Sequence, residues 1–202
     1  MFTGIVAAVG RIVEARPAGG EDAGVRLAVE AGALGLEDVA IGDSIAIQGA
    51  CMTVVALSGN RFEVEVSRES LARTVGLGEP GEVNLEKALT LATKLGGHLV
   101  SGHVDGLGEV VRMQPVGESH ELVIRAPAAL GKYLAYKGSI TVDGVSLTVN
   151  RVDDVDAGTE VSINLIPHTV ASTTLKRLAP GARVNLEIDL IARYVERMLA
   201  AR

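Results

Sequence analysis

Hydrophobic and polar residues alternate over short stretches of the chain, and this pattern predicts strands. Residues 62–66 (Phe-Glu-Val-Glu-Val) alternate strictly, as do residues 160–165 (Glu-Val-Ser-Ile-Asn-Leu). A period of two places apolar side chains on one face of a strand, and the Gly, Pro, Asn and Asp residues between the runs are typical of turns. Short helical pieces are expected at Ser70 to Val75, Ala128 to Tyr136 and Thr169 to Leu175.

The second half of the chain repeats segments of the first half in the same order. Residues 42–54 resemble residues 138–149, which places Gly49 opposite Gly144, and Val-Asn-Leu-Glu occurs at both 83–86 and 184–187. Thr3-Gly4 likewise matches Ser101-Gly102. The copies are offset by about 95 to 101 residues, so we infer a duplicated unit of about that length.

Each repeat holds about six short predicted strands, and a sheet of this size usually avoids unpaired edges by closing into a barrel. We therefore predict an all-β fold with two tandem, homologous, six-stranded antiparallel (Greek-key) barrels and a C-terminal helix. The predicted units are residues 1–97, 98–188 and 189–202.

The last segment has the apolar spacing of an amphipathic helix. Ile191, Tyr194, Val195 and Met198 fall at i, i+3, i+4 and i+7. A short helix is marginally stable by itself in water, so this stripe needs a partner. It either folds back on its own barrel or meets copies of itself in an oligomer.

Composition narrows the class of ligand. The net charge is −6 and the basic residues are scattered, which disfavours nucleic acid and anionic membranes as partners. No apolar run approaches a membrane span, and the first residues lack a basic leader, so we expect a cytoplasmic protein that binds a small molecule. A single cysteine excludes an intrachain disulfide and argues against a structural metal. Aromatic residues make up 2% of the chain, so backbone and aliphatic groups would hold the ligand.

Two clusters could carry chemistry. Residues 96–106 combine several glycines, which let the backbone approach a ligand closely, with His98 and His103, whose imidazoles are suited to acid–base chemistry. A flexible linker with incidental histidines is the alternative, and zinc is disfavoured because a third ligand and a helical context are missing.

The second cluster is the matched pair Cys51-x-Thr53 and Ser146-x-Thr148. Residues two apart on a strand face the same side, so each repeat would present a nucleophile-capable atom beside a hydroxyl group. Alternatively, Cys51 is a small buried hydrophobic residue. Ser146 lacks the Gly-x-Ser-x-Gly elbow of many hydrolases, and the chain contains no phosphate-binding glycine motif.

Taken together, these motifs closely resemble the riboflavin synthase family, of the alpha-chain type with two lumazine-binding domains. The resemblance covers essentially the whole chain and departs from the family at Gln48, where many members have Asn, and at the variable position Ala50. The segments that carry it are residues 1–6, 97–105, 166–169 and 185–189, together with the two Cys/Ser-x-Thr segments.

The resemblance implies a dismutation of two 6,7-dimethyl-8-ribityllumazine molecules, in which one donates a four-carbon unit to the other. The products would be riboflavin and 5-amino-6-ribitylaminouracil, and no cofactor or metal would be required. In the family, three chains form a homotrimer, and the reacting pair lies between the N-terminal barrel of one subunit and the C-terminal barrel of the next. A surrounding lumazine synthase shell is a possible further partner.

The resemblance also implies roles for particular residues. His103 would assist proton transfer, Cys51 and Ser146 would lie at the C7 end of their pockets, and Thr53 and Thr148 would orient the substrate. Three further residues are expected near the inter-barrel site: the catalytic-site aspartate Asp189, its partner serine Ser44, and Phe2, which would sit over the ligand between subunits.

The ligand contacts that the resemblance implies fall into two sets. In the first barrel they are Gly4, Ile5, Val6, Cys51, Met52, Thr53, Glu65, Val66, Ser67, Arg68, Glu69 and Ser70. In the second barrel they are Gly102, His103, Val104, Lys137, Ser146, Leu147, Thr148, Asn164, Leu165, Ile166, Pro167, His168 and Thr169.

Two other functions compete with the synthase. One is a non-catalytic lumazine- or flavin-binding antenna protein, which the presence of both Cys51/Ser146 and both His98/His103 disfavours. The other is the flavin-binding barrel of a reductase, for which the chain has no residues left to build a nucleotide-binding domain.

Overall fold

A computed structural model describes residues 1–19 and 24–201, and its strands form two closed barrels. The strands of the first barrel are β1 (Ala8–Pro17), β2 (Val25–Glu30), β3 (Ser44–Ile47), β4 (Ala50–Ser58), β5 (Arg61–Val66) and β6 (Gly81–Lys87). Those of the second are β7 (Gly106–Val116), β8 (Ser119–Ala126), β9 (Ser139–Val142), β10 (Val145–Val155), β11 (Gly158–Leu165) and β12 (Arg183–Ile188).

Both barrels have the same strand order. The first runs β1-β2-β5-β4-β3-β6 and the second runs β7-β8-β11-β10-β9-β12, each closing on itself with antiparallel pairs. Each barrel also carries two bulges at equivalent places, in its first strand (after Ile12 and after Val110) and in its fourth (after Val54 and after Val149). The predicted duplication and the predicted two-barrel fold are confirmed.

The alternating strands place their apolar residues inside. Phe62, Val64 and Val66 of β5 are buried, whereas Glu65 between them is exposed. Each barrel has its own core, one containing Phe62 and the other containing Ile163. Residues that share a strand with core residues but alternate with them therefore form an outer face, on which the candidate site lies.

The barrels meet at two equivalent hairpin turns. Gln48 and Asp143 both have φ of 50°, and the following Gly49 and Gly144 have φ of 87° and 81°. The two glycines pack directly against each other, because a Cβ on Gly49 would lie 2.7 Å from the backbone nitrogen of Gly144. A side chain there would both strain the backbone and separate the barrels, so the correspondence that the sequence suggested is a physical contact.

Asparagine side chains join the same junction reciprocally. Asn84 of the first barrel donates from Nδ2 to the carbonyl of Asp143 at 2.8 Å, and Asn185 of the second donates to the carbonyl of Gln48 at 2.9 Å. These buried amides explain why Val-Asn-Leu-Glu occurs twice: each copy binds the turn of the other barrel.

The helices differ in their bounds from those that the sequence suggested, and the one expected at Ser70 to Val75 begins and ends two residues earlier. They are α1 (Arg68–Arg73), α2 (Ala128–Gly131), α3 (Pro167–Ser172) and α4 (Leu190–Ala200), and a 3-10 helix covers Thr174–Arg177. The expected helix from Ala128 to Tyr136 stops at Gly131, after which Leu134 enters the core. Thr173, with φ of −133°, interrupts the expected helix between Thr169 and Leu175. Of the helices in the described ranges, none is both long and apolar enough to cross a membrane.

Helix α4 contacts its own chain through polar residues. Lys132 Nζ lies 2.5 Å from Glu196 Oε1, and Arg193 forms an ion pair with Asp105. Its apolar stripe is exposed, with Tyr194 at 64% and Met198 at 72% of full accessibility. The alternative in which the stripe folds back on its own barrel is therefore wrong, and association with other copies stays a prediction.

Candidate active site

Two extended segments, one before each barrel, lie side by side across the junction. The amide of Phe2 donates to the carbonyl of Val100 at 2.7 Å, and the amide of Val100 donates to the carbonyl of Phe2 at 3.1 Å. We call residues 1–6 and 98–104 the crossing segments. The two segments are equivalent in the repeat, so their pairing follows the approximate twofold symmetry of the molecule.

Each crossing segment reaches the barrel of the other repeat. The Gly4 carbonyl accepts a hydrogen bond from the Ser146 amide at 2.7 Å, and the Gly102 carbonyl accepts one from the Cys51 amide at 2.8 Å. Both glycines have positive φ, and a Cβ on Gly102 would lie 2.7 Å from the Cβ of Cys51. Glycine is therefore required where each segment meets the other barrel.

This exchange corrects the expected grouping of ligand contacts. Residues 4–6 were assigned to the first barrel and residues 102–104 to the second, but Val6 packs on the core of the second barrel and Val104 on that of the first. Each crossing segment thus packs against the barrel of the other repeat. The two candidate pockets are Cys51, Thr53 and residues 102–104 in one, and Ser146, Thr148 and residues 4–6 in the other.

A buried carboxylate fixes the first crossing segment to its own barrel. Glu86 Oε1 accepts hydrogen bonds from the amide and the hydroxyl of Thr3 at 2.7 and 2.6 Å, and Oε2 accepts from the amide of Gly4 at 2.9 Å. Burial raises the pKa of the Glu86 carboxyl, although the hydrogen bonds from Thr3 and Gly4 oppose the change.

Glu187 holds the second crossing segment in the same way. Its Oε1 accepts from the amide and hydroxyl of Ser101 at 2.6 and 2.7 Å, and its Oε2 accepts from the amides of Gly102 and His103 at 2.9 and 3.0 Å. Burial raises the pKa of this carboxyl too. Sequence reasoning missed both glutamates, although the repeated Val-Asn-Leu-Glu was a signal that could have found them.

The predicted Cys/Ser-x-Thr pairs occupy equivalent outer faces. Cys51 and Ser146 are half-buried, and Thr53 and Thr148 are exposed. The spacing of two therefore places each pair on one side of its strand, as predicted. Ser44 of β3 is the Cα partner of Thr53, so it belongs to the face of the first pocket.

Alternation also decides how the remaining predicted contacts can act. The side chains of Met52, Val66, Leu147 and Leu165 point into the barrel cores, so only their backbone groups are available to a ligand. Exposed side chains are available at Ile5, Glu65, Ser67, Arg68, Glu69, His103, Lys137, Asn164, Ile166, Pro167 and His168, whereas Val6, Ser70, Val104 and Thr169 are half-buried.

His98 is the buried histidine of the crossing segments. Its Nδ1 shares a hydrogen bond of 2.7 Å with Ser146 Oγ, and its Nε2 lies 3.3 Å from Thr141 Oγ1. Burial lowers the pKa of this imidazole, while the negative charge of Asp189 opposes the change. The sequence placed His98 in a candidate cluster but did not identify its partner.

Phe2 lies beside Cys51 in the first barrel, although its equivalent in the repeat is Val100 and not His98. Its ring is fully buried and packs with Ala46, Val100 and the half-buried Cys51. In the repeat, Ala46 corresponds to Thr141 and Cys51 to Ser146. A phenyl ring thus packs against Cys51, and an imidazole forms a hydrogen bond with Ser146.

Ser44 and Asp189 belong to different barrels of the chain. Asp189 follows β12 and caps α4, accepting a hydrogen bond from the amide of Ile191 at 2.9 Å. Ser44 lines an open cavity of about 850 Å³ beside β3 and β6, together with Thr3, Ile5, Glu86, Lys87 and Lys94. Within the described residues, no cluster of His, Cys, Asp and Glu is arranged to hold a metal ion.

Comparison with known proteins gives consistent results. The family model "Lumazine binding domain" matches residues 3–88 and 101–189. The chain is 46% identical over 201 residues to riboflavin synthase of Photobacterium phosphoreum, covering 98% of this chain and 89% of that protein. It is 44% identical over 206 residues to riboflavin synthase of Mycobacterium tuberculosis, covering 98% of both. For riboflavin synthase of Bacillus subtilis the identity is 40% over 201 residues, covering 98% of this chain and 90% of the other.

Solved structures share the fold. LumP in complex with riboflavin has a TM-score of 0.79 at 25% sequence identity, over 93% of this chain and 99% of that one. LumP in complex with 6,7-dimethyl-8-(1'-D-ribityl) lumazine has a TM-score of 0.77 at 25% identity, over 93% and 98% of the two chains.

Proposed function

The chain belongs to the lumazine-binding domain family and, within it, to the riboflavin synthases, and we propose that it joins two molecules of 6,7-dimethyl-8-ribityllumazine. One molecule transfers a four-carbon unit to the other, which gives riboflavin and 5-amino-6-ribitylaminouracil. The observation that carries this proposal is the pair of equivalent outer faces at Cys51/Thr53 and Ser146/Thr148, each completed by the crossing segment of the other repeat.

A reaction between two identical substrates explains why the pocket is present twice. Two similar pockets can hold two copies of one molecule, and fixing both in register removes much of the entropic cost of a bimolecular step. Effective molarities of well-oriented groups correspond to about 7–11 kcal/mol of the barrier. Positioning is therefore the main catalytic device in this proposal, which uses no cofactor or metal.

The side chains of the two faces have distinct proposed roles. His103 assists removal of a proton from the methyl group on C7, whose anion spreads into the fused ring. Cys51 and Ser146 lie at the C7 ends of their pockets, and Thr53 and Thr148 orient the bound rings. Ser44 and Asp189 complete the site across the interface, and Phe2 closes the first pocket.

The proposed assembly is a homotrimer in which a first pocket meets the second pocket of a neighbouring chain. Both faces are open in the single chain, and the exposed stripe of α4 supports association between copies. We propose residues 1–97, 98–188 and 189–202 as the structural units. The proposed location is the cytoplasm, and a lumazine synthase shell is the candidate partner of the assembly.

Incubation of the purified protein with 6,7-dimethyl-8-ribityllumazine tests the function. The expected result is loss of the lumazine absorbance and appearance of riboflavin, with two lumazines consumed for each riboflavin formed. Stoichiometric binding of lumazine without its consumption would instead identify a non-catalytic lumazine-binding protein, and the likeness to LumP, which was solved in complex with the lumazine, makes this the second candidate.

A further inference from the structure

We infer that Arg193 is a positioning residue for the synthase reaction: through its ion pair with Asp105 it fastens α4 to the second crossing segment, and it thereby sets the place of His103 in the first pocket. This inference rests on the proposed function, in which His103 assists proton transfer. It adds to that function a link between the active site and the helix that carries the exposed apolar stripe.

Asp105 joins three parts of the second repeat. Its amide donates to the carbonyl of Leu186 at 2.8 Å, and its Oδ2 accepts from the amide of Ile188 at 2.9 Å. Its Oδ1 accepts from Nη2 of Arg193, which lies in the first turn of α4. The Asp105 side chain is only 13% exposed, so water screens this ion pair less than a surface pair. The end of the crossing segment, the end of β12 and the start of α4 therefore meet at one carboxylate.

The His103 ring depends on its backbone for its position. His103 is exposed, and within the described residues its ring nitrogens form no hydrogen bond. Its amide donates to Glu187 Oε2 at 3.0 Å, and the next residue, Val104, packs on the core of the first barrel. Asp105 follows directly and closes the segment. A displacement of the Asp105 carboxylate therefore moves the end of the segment that presents His103.

Arg193 is the cation that offsets two carboxylates at this place. In the described part of the chain, it is the one basic side chain that forms an ion pair with Asp105. Burial raises the pKa of the Glu187 carboxyl, and the negative charge of Asp105 adds to that rise, so the two carboxylates repel each other. Loss of the Arg193 charge would leave both carboxylates without a cation beside the segment that they hold.

The first repeat shows that a barrel does not need this ion pair. Ala7 occupies the place of Asp105, and its amide donates to the carbonyl of Leu85 at 2.9 Å, as the Asp105 amide does to the equivalent carbonyl of β12. Both copies thus share the backbone bond, whereas the carboxylate is present in one. Residues 88–97, which follow β6, form no helix, and the first crossing segment has Ile5 at the place of the histidine. The ion pair therefore occurs in the repeat that has both a helix and a candidate base.

A second ion pair fastens α4 without contacting a crossing segment. Lys132 Nζ lies 2.5 Å from Glu196 Oε1, and the Tyr133 hydroxyl donates to Glu196 Oε2 at 3.3 Å. This contact joins α4 to the residues just after α2 and lies further along the helix than Arg193. It provides a matched control, because its loss loosens the same helix and leaves the carboxylate of Asp105 paired.

Hydrogen exchange and turnover test the inference together. In Arg193→Gln, amide exchange in residues 101–105, measured by mass spectrometry on the whole protein, is expected to be faster than in the wild type by about fivefold. Turnover of 6,7-dimethyl-8-ribityllumazine is expected to fall on the order of tenfold in kcat, with KM changed by less than about twofold, because a displaced base slows proton transfer and leaves the bound rings in place. Glu196→Gln is expected to leave both the exchange rate and kcat within about twofold of the wild type.

Further variants separate positioning from a general loss of structure. Asp105→Asn keeps an oxygen that can accept from the Ile188 amide and removes the charge, and it is expected to match Arg193→Gln. The double variant is expected to be no slower than the slower single variant, since both changes break one interaction. Arg193→Lys keeps the charge and can form a single bond to Asp105, so it is expected to recover most of the lost kcat.

The controls keep this test distinct from the test of the function. Wild-type turnover is measured first, since its absence would refute the proposed function, whereas exchange in residues 101–105 would still test the link. Sedimentation velocity ensures that the variants are compared at the mass of the wild type, and Asp105→Asn replaces Arg193→Gln if the latter fails to fold or assemble. Multiplied losses in the double variant, equal losses in Glu196→Gln, or an unchanged exchange rate or kcat in Arg193→Gln would overturn the inference.

Discussion

The two barrels share their strand order, their bulges and their junction, yet they differ in the side chains that contact Cys51 and its equivalent Ser146. Phe2 packs over Cys51 in the first pocket, and His98 bonds to Ser146 in the second. The shared features are backbone turns and buried amides that the fold needs in both copies. The difference lies on the outer face, where a side chain can change without loss of the barrel. Duplication has thus kept the scaffold and allowed the chemistry of the pockets to diverge.

The shared junction is expected to be the most sensitive part of the comparison. Gly49→Ala places a Cβ 2.7 Å from the Gly144 nitrogen at a residue with φ of 87°. Left-handed strain and the clash together are expected to cost about 3 kcal/mol or more of unfolding free energy. Gly144→Ala is expected to cost a similar amount, since the contact is reciprocal. Denaturant unfolding measures the loss of free energy in both variants from the shift of the midpoint, provided that the dependence of the free energy on denaturant is unchanged.

Gly59→Ala is the control for this prediction. Gly59 also has positive φ, 59°, but a Cβ there would meet nothing within 4 Å. It is expected to cost about 1–2 kcal/mol from strain alone. Equal losses at residues 49 and 59 would show that the contact between the two turns contributes nothing.

The next difference is between the turn residues Gln48 and Asp143. Burial raises the pKa of the Asp143 carboxyl to about 7, although hydrogen bonds from the Asn185 amide and from Gln48, and the charge of Arg177, oppose the rise. The folded protein therefore keeps a proton that the unfolded chain releases near pH 3.8. Stability is expected to fall as pH rises between these values and to level off above pH 7.

Asp143→Asn removes this titration and keeps an oxygen that can accept from the Asn185 amide, which donates to Asp143 Oδ1 at 2.8 Å. It is expected to stabilise the protein at pH 8 by about 2 kcal/mol and to flatten the fall between pH 4 and 7. Glu86 and Glu187 titrate in the same direction and leave a residual slope. Thermal unfolding measured across this pH range gives the change in stability with pH. If the variant shows the same change as the wild type, the titrating group is not Asp143.

The smallest expected effect is the loss of kcat when Glu187 or Glu86, which hold the two crossing segments, is changed to glutamine. Glu187→Gln replaces an acceptor of the His103 and Gly102 amides with an NH₂ group, which releases the segment that presents His103. We expect kcat to fall about tenfold, corresponding to about 1.4 kcal/mol. Glu86→Gln releases a segment that presents Ile5, a residue without acid–base chemistry, so a smaller fall is expected. A larger loss of kcat for Glu86→Gln would reverse this assignment.

The fold was predictable because its signals are local. Strict alternation at residues 62–66 and the matched glycines Gly49 and Gly144 correspond directly to a buried strand face and to the junction. The family resemblance added the reaction and its substrate. The helix expected from Ala128 to Tyr136 ends at Gly131 because Leu134 packs in the core, a tertiary effect that local helix propensity does not register.

The sequence did not predict which segments complete each pocket. The contacts implied by the resemblance were grouped with residues 4–6 in the first barrel, but the carbonyl of Gly4 bonds to Ser146 of the second. An exchange of this kind depends on contacts between distant segments, which one sequence does not encode locally. The bond between His98 and Ser146 was hidden for the same reason.

The central claim is that a first pocket of one chain reacts with a second pocket of another, and complementation tests it most directly. Thr53→Arg blocks the first face and Thr148→Arg blocks the second, and each variant alone is expected to be inactive. When both are expressed together with different tags and purified as a mixed oligomer, riboflavin synthesis is expected to return, because some interfaces then pair two intact pockets. Mixed oligomers that stay as inactive as their parents would contradict the claim.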